Sequence, residues 1–303
     1  MSSEIPPPRT IVVSGGTDGI GRALVRDRLG RGDRVVAIGS TPGKGEALLA
    51  EAERSGAAGR LTFLRAELSL IAEVERVVER ISATHPRVDA LVLGANRVLT
   101  RRQETAEGLE FTFALYYLSR YLLGHGLRGA LAAAPEPLIV NISAPGLKAG
   151  RVHWDDPQLT DNYRTVRAQA QSGRANDLLG VDFAARPSSP ARYVLYHPGF
   201  TRSPGSWAHL SWPVATSLRL LARVAARSPE EAAGPPSRLI DAPPAEPLTA
   251  VDRGRPVDPG LPTFDPGDAA RLARETRRLI RATVGTSPLL PDETPNDQAG
   301  AEN

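Results

Sequence analysis

Three glycines, Gly15, Gly19 and Gly21, stand at the spacing that chemistry on a phosphate requires. The residues before them, Ile11-Val12-Val13, are β-branched and apolar, as a parallel strand covered on both faces needs. The residues after them read as a helix of about Gly19 to Gly30. In such a strand, turn and helix, Gly15 takes the angles of the tight turn. Gly19 lets a phosphate approach the main chain, and Gly21 lets the helix pack close to the strand. The unpaired amides of the helix start and its dipole then attract a pyrophosphate. Glycine turns also arise without a ligand, so the flanking strand and helix carry the reading. It assigns Gly15, Thr17, Asp18, Gly19, Ile20 and Gly21 to a dinucleotide.

The elements that must hold this turn alternate along the chain. Strands are expected at Arg34 to Ile38, Leu61 to Leu64, Ala90 to Leu93, Leu138 to Ile142, Ala191 to Tyr196 and, last, Leu248 to Val251. Helices are expected at Gly45 to Arg54, Ala72 to Ala83 and Ala269 to Val284, with apolar residues at helical spacing. Another starts at Ser228-Pro229, with serine as N-cap and proline in the first turn. Right-handed β-α-β units in this order predict an α/β fold, a Rossmann-type doubly wound parallel sheet in a single domain. The domain is expected to span 9–287, with disordered tails at 1–8 and 288–303. The second strand ends in Gly39-Ser40-Thr41, followed by Lys44. No carboxylate there repels a 2′-phosphate, so the pattern favours NADP, held in part by Ser40, and leaves NAD open.

Composition bounds the rest. The 303 residues are 41% hydrophobic, carry a net charge of +3 and contain no cysteine. Disulfides and thiolate metal sites are thereby excluded, no metal-ligand spacing appears, and the expected location is cytoplasmic. The arginines are scattered without aromatic interleaving, which argues against nucleic acid. No apolar run is long enough for a bilayer, and the proline-rich start is not a signal peptide. Asp155-Asp156 reads as a turn and cap, and His153 and His197 read as loop or packing residues.

In the glycine turn and in the segments that follow, the chain resembles the short-chain dehydrogenase/reductase family. Thr105 to Leu123 looks like the long central helix of the retinol-dehydrogenase-like branch, and Gly150-Arg151-Val152-His153-Trp154 and Ser172-Gly173-Arg174-Ala175-Asn176 match that branch without a gap. The resemblance implies that Glu67 and Leu68 stand by the adenine and that Gly94 shapes the turn after the fourth strand. It also implies that Pro198, Gly199, Thr201 and Ser203 grip the nicotinamide carboxamide, and that Trp207 and Trp212 fall in the substrate lid. The same register places Tyr116, Ala144, Gln169 and Gly173 at the family's Asn, Ser, Tyr and Lys. Ser143 is one residue early and by strand alternation should point away. Only two lysines occur, and the residues four before Lys44 and Lys148 are Ser40 and Ala144, so no register restores a Tyr-x-x-x-Lys pair. Tyr163-x-x-x-Arg167 is the nearest imitation.

In the family mechanism the tyrosine hydroxyl transfers the proton and the lysine lowers its pKa. Without them, the reading is a nucleotide-binding enzyme of small-molecule metabolism acting on an apolar substrate, with Tyr116, Lys148, Tyr163 and Gln169 as pocket groups. It would run carbonyl/alcohol redox chemistry with another proton donor, or a redox-neutral cyclisation, isomerisation or elimination that needs no cofactor turnover. The alternative is a catalytically inactive nucleotide-binding or partner-binding protein, with Tyr116, Tyr117 and Tyr121 in core or subunit-interface packing. The missing tetrad argues against an ordinary carbonyl reductase. The resemblance also implies a homo-oligomer.

Overall fold

The computed structural model describes residues 8–186, 191–199 and 227–291. Strands β1 (Thr10–Ser14), β2 (Arg34–Gly39), β3 (Leu61–Arg65), β4 (Ala90–Leu93), β5 (Leu138–Ile142), β6 (Arg192–His197), β7 (Leu248–Asp252) and β8 (Arg255–Val257) form one sheet in the order β3-β2-β1-β4-β5-β6-β7-β8. All pairs are parallel except β7 and β8. The helices are α1 (Gly19–Gly30), α2 (Pro42–Arg54), α3 (Ile71–Thr84), a compound α4, the short α5 (Arg128–Ala132), α6 (Thr165–Ala184), α7 (Pro229–Asp241) and α8 (Pro266–Val284). Alternation within the strands feeds two cores. Val12, Val36, Leu91 and Ile139 pack on α3, α4, α6 and α8. Ile11, Val13, Val35 and Ala37 pack on α1, α2 and α7. Both faces are covered, which is why the strands read as continuous apolar runs. The chain winds outward from β1 in both directions, so the switch point lies between β1 and β4, directly above the glycine turn.

Four expectations change. The second helix begins at Pro42 rather than Gly45, because proline at the first position after Thr41 fits a helix start. The long helix begins at Phe111, not Thr105. Residues 104–110 instead form a small turn closed by the Glu104–Glu110 bridge, with Gly108 at φ +78°. The buried Glu110 carboxylate then caps the helix, accepting from the amides of Thr112 at 2.8 Å and Phe113 at 2.7 Å. That helix, α4, runs through Phe111–Phe113, a π-helical stretch Ala114–Leu118 and Ser119–Gly126. A π-stretch inserts a residue and re-aims the side chains around it. The sheet also extends past β7. Arg253 and Gly254, at φ +50° and +83°, turn the chain back into β8. Finally, the tail expected from Pro288 is packed at its start, with Leu289 buried in the core beside Val78 and Gly126.

Candidate active site

The carboxyl ends of β1, β2, β4, β5 and β6 border one cavity of about 550 Å³. Its nucleotide half is built by backbone. Gly15 and Gly19 lie at φ +71° and +49°, and a side-chain carbon built at Gly21 would overlap the Gly15 carbonyl oxygen. A carbon at Gly15 would come within 3.0 Å of the Ala95 backbone. Asp18 caps α1, its Oδ1 accepting from the Gly19 amide at 2.8 Å, and its Oδ2 is paired with Lys44. Thr17, Ile20, Ser40, Glu67, Leu68 and Gly94, the residues that sequence proposes for a cofactor, all line the cavity. One cation was not foreseen. Arg97 reaches Ser40 Oγ at 3.4 Å and Glu67 Oε2 at 3.9 Å, and stacks on the Phe111 ring 5.2 Å from its centre. Its only sequence signal is its place just past the turn after β4. Helix-start amides, hydroxyls, two cations and no carboxylate at the end of β2 together fit a dinucleotide.

The other half is built by side chains from distant elements. Tyr116 lines the cavity inside the π-stretch. The Arg120 guanidinium lies 4.6 Å from its ring centre, and burial pushes its hydroxyl pKa up. Arg120 is itself 1% exposed and donates to the carbonyls of Ile142 at 2.8 Å and Ala95 at 3.0 Å, and to Asn141. Burial pulls its pKa down to about 10. Asn141 donates to Asn176 Oδ1 and Tyr193 Oη, both at 2.8 Å, and Asn176 donates to the Tyr116 carbonyl at 2.8 Å. A closed set of amides thus spans β5, α4 and α6. Asp177, 1% exposed, accepts from the Gly146 amide at 3.1 Å, and burial raises its pKa to about 7. Ser143 lines the cavity rather than turning from it, because β5 has ended at Ile142 and strand alternation no longer applies. Its hydroxyl is enclosed there with no hydrogen-bond partner among the described residues.

Three of the expected pocket groups are not on this wall. Lys148 is exposed in the turn after β5. The Tyr163 hydroxyl donates to the Leu99 carbonyl at 3.4 Å, while Arg167 turns to His153 at 2.9 Å, so the two form no Tyr–cation pair. Gln169 is locked to Asn96, accepting from its amide at 3.0 Å and donating to the Arg97 carbonyl at 3.4 Å. Tyr117 and Tyr121 are internal, in a run of rings from Phe113 to His125, and the Tyr117 hydroxyl lies 2.7 Å from Thr276 on α8. They are core, and the interface reading fails for them. Pro198 lines the cavity and Gly199 follows at φ +85°. Thr201, Ser203, Trp207 and Trp212 lie outside the described residues. His197 is not a loop residue. It ends β6, lines the cavity and meets Asp252 of β7, Nδ1 to Oδ1, at 2.6 Å. Among the described residues no cluster of three or more potential metal ligands occurs.

A model of the family described as short chain dehydrogenase matches residues 9–154. A protein of Streptomyces sp. (strain C5) that carries the name of a daunorubicin C-13 ketoreductase is 31% identical over 199 residues, covering 65% of this chain and 67% of that protein. This chain belongs to the short-chain dehydrogenase family. Human retinol dehydrogenase 13 is 26% identical over 285 residues, covering 90% of this chain and 85% of its own, which agrees with the retinol-dehydrogenase-like branch. A solved structure from Beutenbergia cavernae, bearing the name of an NAD(P)-dependent gluconate 5-dehydrogenase and holding NADP, shares the short-chain dehydrogenase fold. Its TM-score is 0.61 at 23% identity, covering 82% and 98% of the two chains. Among the described residues, no helix of this short-chain dehydrogenase is long and apolar enough to cross a membrane.

Proposed function

We propose that this short-chain dehydrogenase is an NADP-dependent oxidoreductase acting on a small apolar ketone or alcohol, with proton transfer that bypasses the family's Tyr and Lys. One observation carries the reading. A single cavity joins a nucleotide half built on the glycine turn to a chemical half lined by Tyr116, Ser143 and His197, with no Tyr–Lys pair among the described lining residues. A nicotinamide bound there supplies or accepts the hydride. Glycine-turn amides would hold the pyrophosphate, and Ser40, Lys44 and Arg97, the two cations now paired with Asp18 and Glu67, would hold the 2′-phosphate. Glu67 and Leu68 flank the adenine, and Tyr116 walls the substrate end. The names of the ketoreductase and retinol dehydrogenase relatives support a carbonyl or alcohol as the reacting group.

A second reading, redox-neutral catalysis or nucleotide binding without turnover, draws on the closed amide pairs. Gln169 is bound to Asn96, and Asn176 satisfies the Tyr116 carbonyl, so neither is left to pass a proton. Titration of tryptophan fluorescence with NADPH and NADH tests both readings. Micromolar NADPH binding, tighter than NADH, followed by NADPH consumption with a panel of ketones, is the expected result. Binding without consumption moves the assignment to the second reading, and no binding at millimolar NADPH removes the redox assignment.

A further inference from the structure

The cavity is lined by six ionisable side chains among the described residues: Asp18, Lys44, Glu67, Arg97, Tyr116 and His197. The first four belong to the nucleotide half, in two acid–base pairs. Tyr116 is enclosed with its ring against the Arg120 guanidinium, and burial raises its pKa above the ordinary phenol value, which makes it a weak acid. The sixth, His197, lines the cavity from the end of β6. Resting on the oxidoreductase reading, we propose that His197, oriented by Asp252, is the acid and base that exchanges the proton with the substrate oxygen.

The sheet builds this dyad. Parallel register sets His197 beside Asp252, and the Arg253 amide donates to the His197 carbonyl at 2.9 Å. The β7–β8 turn then holds the Arg253 guanidinium on Asp252 Oδ2, at 3.1 Å from its terminal nitrogen. Partial burial would raise the Asp252 pKa, but the hydrogen bonds from His197 and Arg253 hold it below the ordinary carboxylate value. An ionised carboxylate only accepts, so the proton of the 2.6 Å bond is on His197 Nδ1. Nε2 is then the atom left for the substrate. The His197 side chain is 36% exposed, so solvent can restore its proton between turnovers.

In the reducing direction, hydride forms the new C–H bond at the carbonyl carbon. The C=O π pair moves to oxygen, and the imidazolium Nε2–H bond breaks to form O–H. His197 is left neutral and takes one proton from water. One carbonyl, one reduced nicotinamide and one proton become one alcohol and one oxidised nicotinamide. Asp252 is a positioning residue and does not change protonation.

The test uses the full chain labelled with nitrogen-15 at its five histidines, with the His197 ring signal assigned by its loss in H197Q. NADPH is expected to move that signal, and 2′,5′-ADP, which lacks the nicotinamide, is expected to leave it in place. D252N is expected to remove the Nδ1–H signature without changing NADPH affinity. With NADPH and phenanthrenequinone as the assay pair, H197Q is expected to lower kcat by about 100-fold or more, and D252N by about 10-fold, with KM held. An NADPH titration that leaves the His197 signal unmoved overturns the proposal. So does an H197Q enzyme with kcat within about threefold of the parent, far below the effect of losing a general acid. If wild type does not reduce the quinone, the NADPH titration alone decides. Failure of NADPH to quench tryptophan fluorescence overturns the oxidoreductase reading instead.

Discussion

The two halves of the cavity are built by different means. In the nucleotide half, a run from Ser14 to Gly21 supplies the turn, the cap and the helix amides, and its demands are those of backbone space. In the chemical half, nearly every contact joins residues far apart in sequence, as in Arg120 with Asn141, Asn141 with Asn176, and His197 with Asp252. Backbone cradles tolerate no change without losing the ligand. A side-chain network can exchange its members while the fold stands. The contrast would account for a chain that keeps its glycine turn while the positions that the family resemblance assigns to the tetrad carry Tyr116, Ala144, Gln169 and Gly173.

The largest effect is expected from Gly21→Ala, which attacks the backbone half directly. The added carbon meets the Gly15 carbonyl oxygen, so α1 must shift. A loss of about 3 kcal/mol is expected from such overpacking of backbone on backbone. NADPH affinity should fall by more than about 100-fold, because the phosphate amides move with the helix. Thermal melts and tryptophan titration measure the two effects separately. A variant that binds like the parent would mean that the turn is a structural remnant.

A smaller effect, of opposite sign, is expected in the chemical half. Burial raises the Asp177 carboxyl from 3.8 to about 7. A folded pKa above the unfolded one means that the contribution to stability is complete below about pH 4. It is lost as pH rises through about 7. Asp177→Asn keeps an acceptor for the Gly146 amide and removes the titration. At about pH 8 the variant should be more stable by on the order of 2 kcal/mol, with the advantage gone near pH 4. Urea unfolding at both values checks the sign. Equal stability at pH 8 would show that the carboxylate is compensated in place.

Much of the nucleotide half was legible because its rules are local. Gly19–Gly30 reads as a helix from the strand and glycines before it, and Ser228 with Pro229 announces the start of α7. The chemical half was not, for definite reasons. Glu110 caps α4 from inside a run with helical spacing, so the helix reads six residues too long. β8 is three residues, Arg255-Pro256-Val257, too short and polar to register as a strand. His197 resembled a loop histidine because its partner lies 55 residues away, and Gln169 looked like a free pocket amide because Asn96 is 73 residues away. Arg97 carries no motif. Only the fold places it between Ser40 and Glu67.

Arg97 also gives a test inside the nucleotide half, of intermediate size. It is more than two-fifths exposed, so its pairing with Glu67 adds little to stability. Its worth should appear only with a phosphate to bind. Arg97→Ala should weaken NADPH by about 10-fold, as loss of one charge-assisted contact does, and NADH by less than about twofold. Equal losses for both cofactors would place Arg97 at the adenine or in loop packing, and would return the choice between NADP and NAD to Ser40 and Lys44.

The smallest effect is expected from the change that seems most restorative, the double variant Gln169→Tyr with Gly173→Lys. Space does not oppose it, since a side-chain carbon at Gly173 meets nothing within 4 Å. Removing a glycine from the interior of α6 should even add about 0.5–1 kcal/mol. Yet the new pair would enter a site already closed around it. Asn176 still holds the Tyr116 carbonyl, Ala144 still lacks a hydroxyl, and the Asn96 amide loses its Gln169 partner. If His197 handles the proton, the new phenol competes with it instead of completing it. Phenanthrenequinone reduction should then change by less than about threefold, well short of the gain that a working general acid gives. A rise of about 100-fold would mean that the chemical half is an ordinary site lacking two side chains, with the amide network as passive filling. A change within threefold, together with a large loss in H197Q, would mean that the network and the dyad form a different solution on the same cradle.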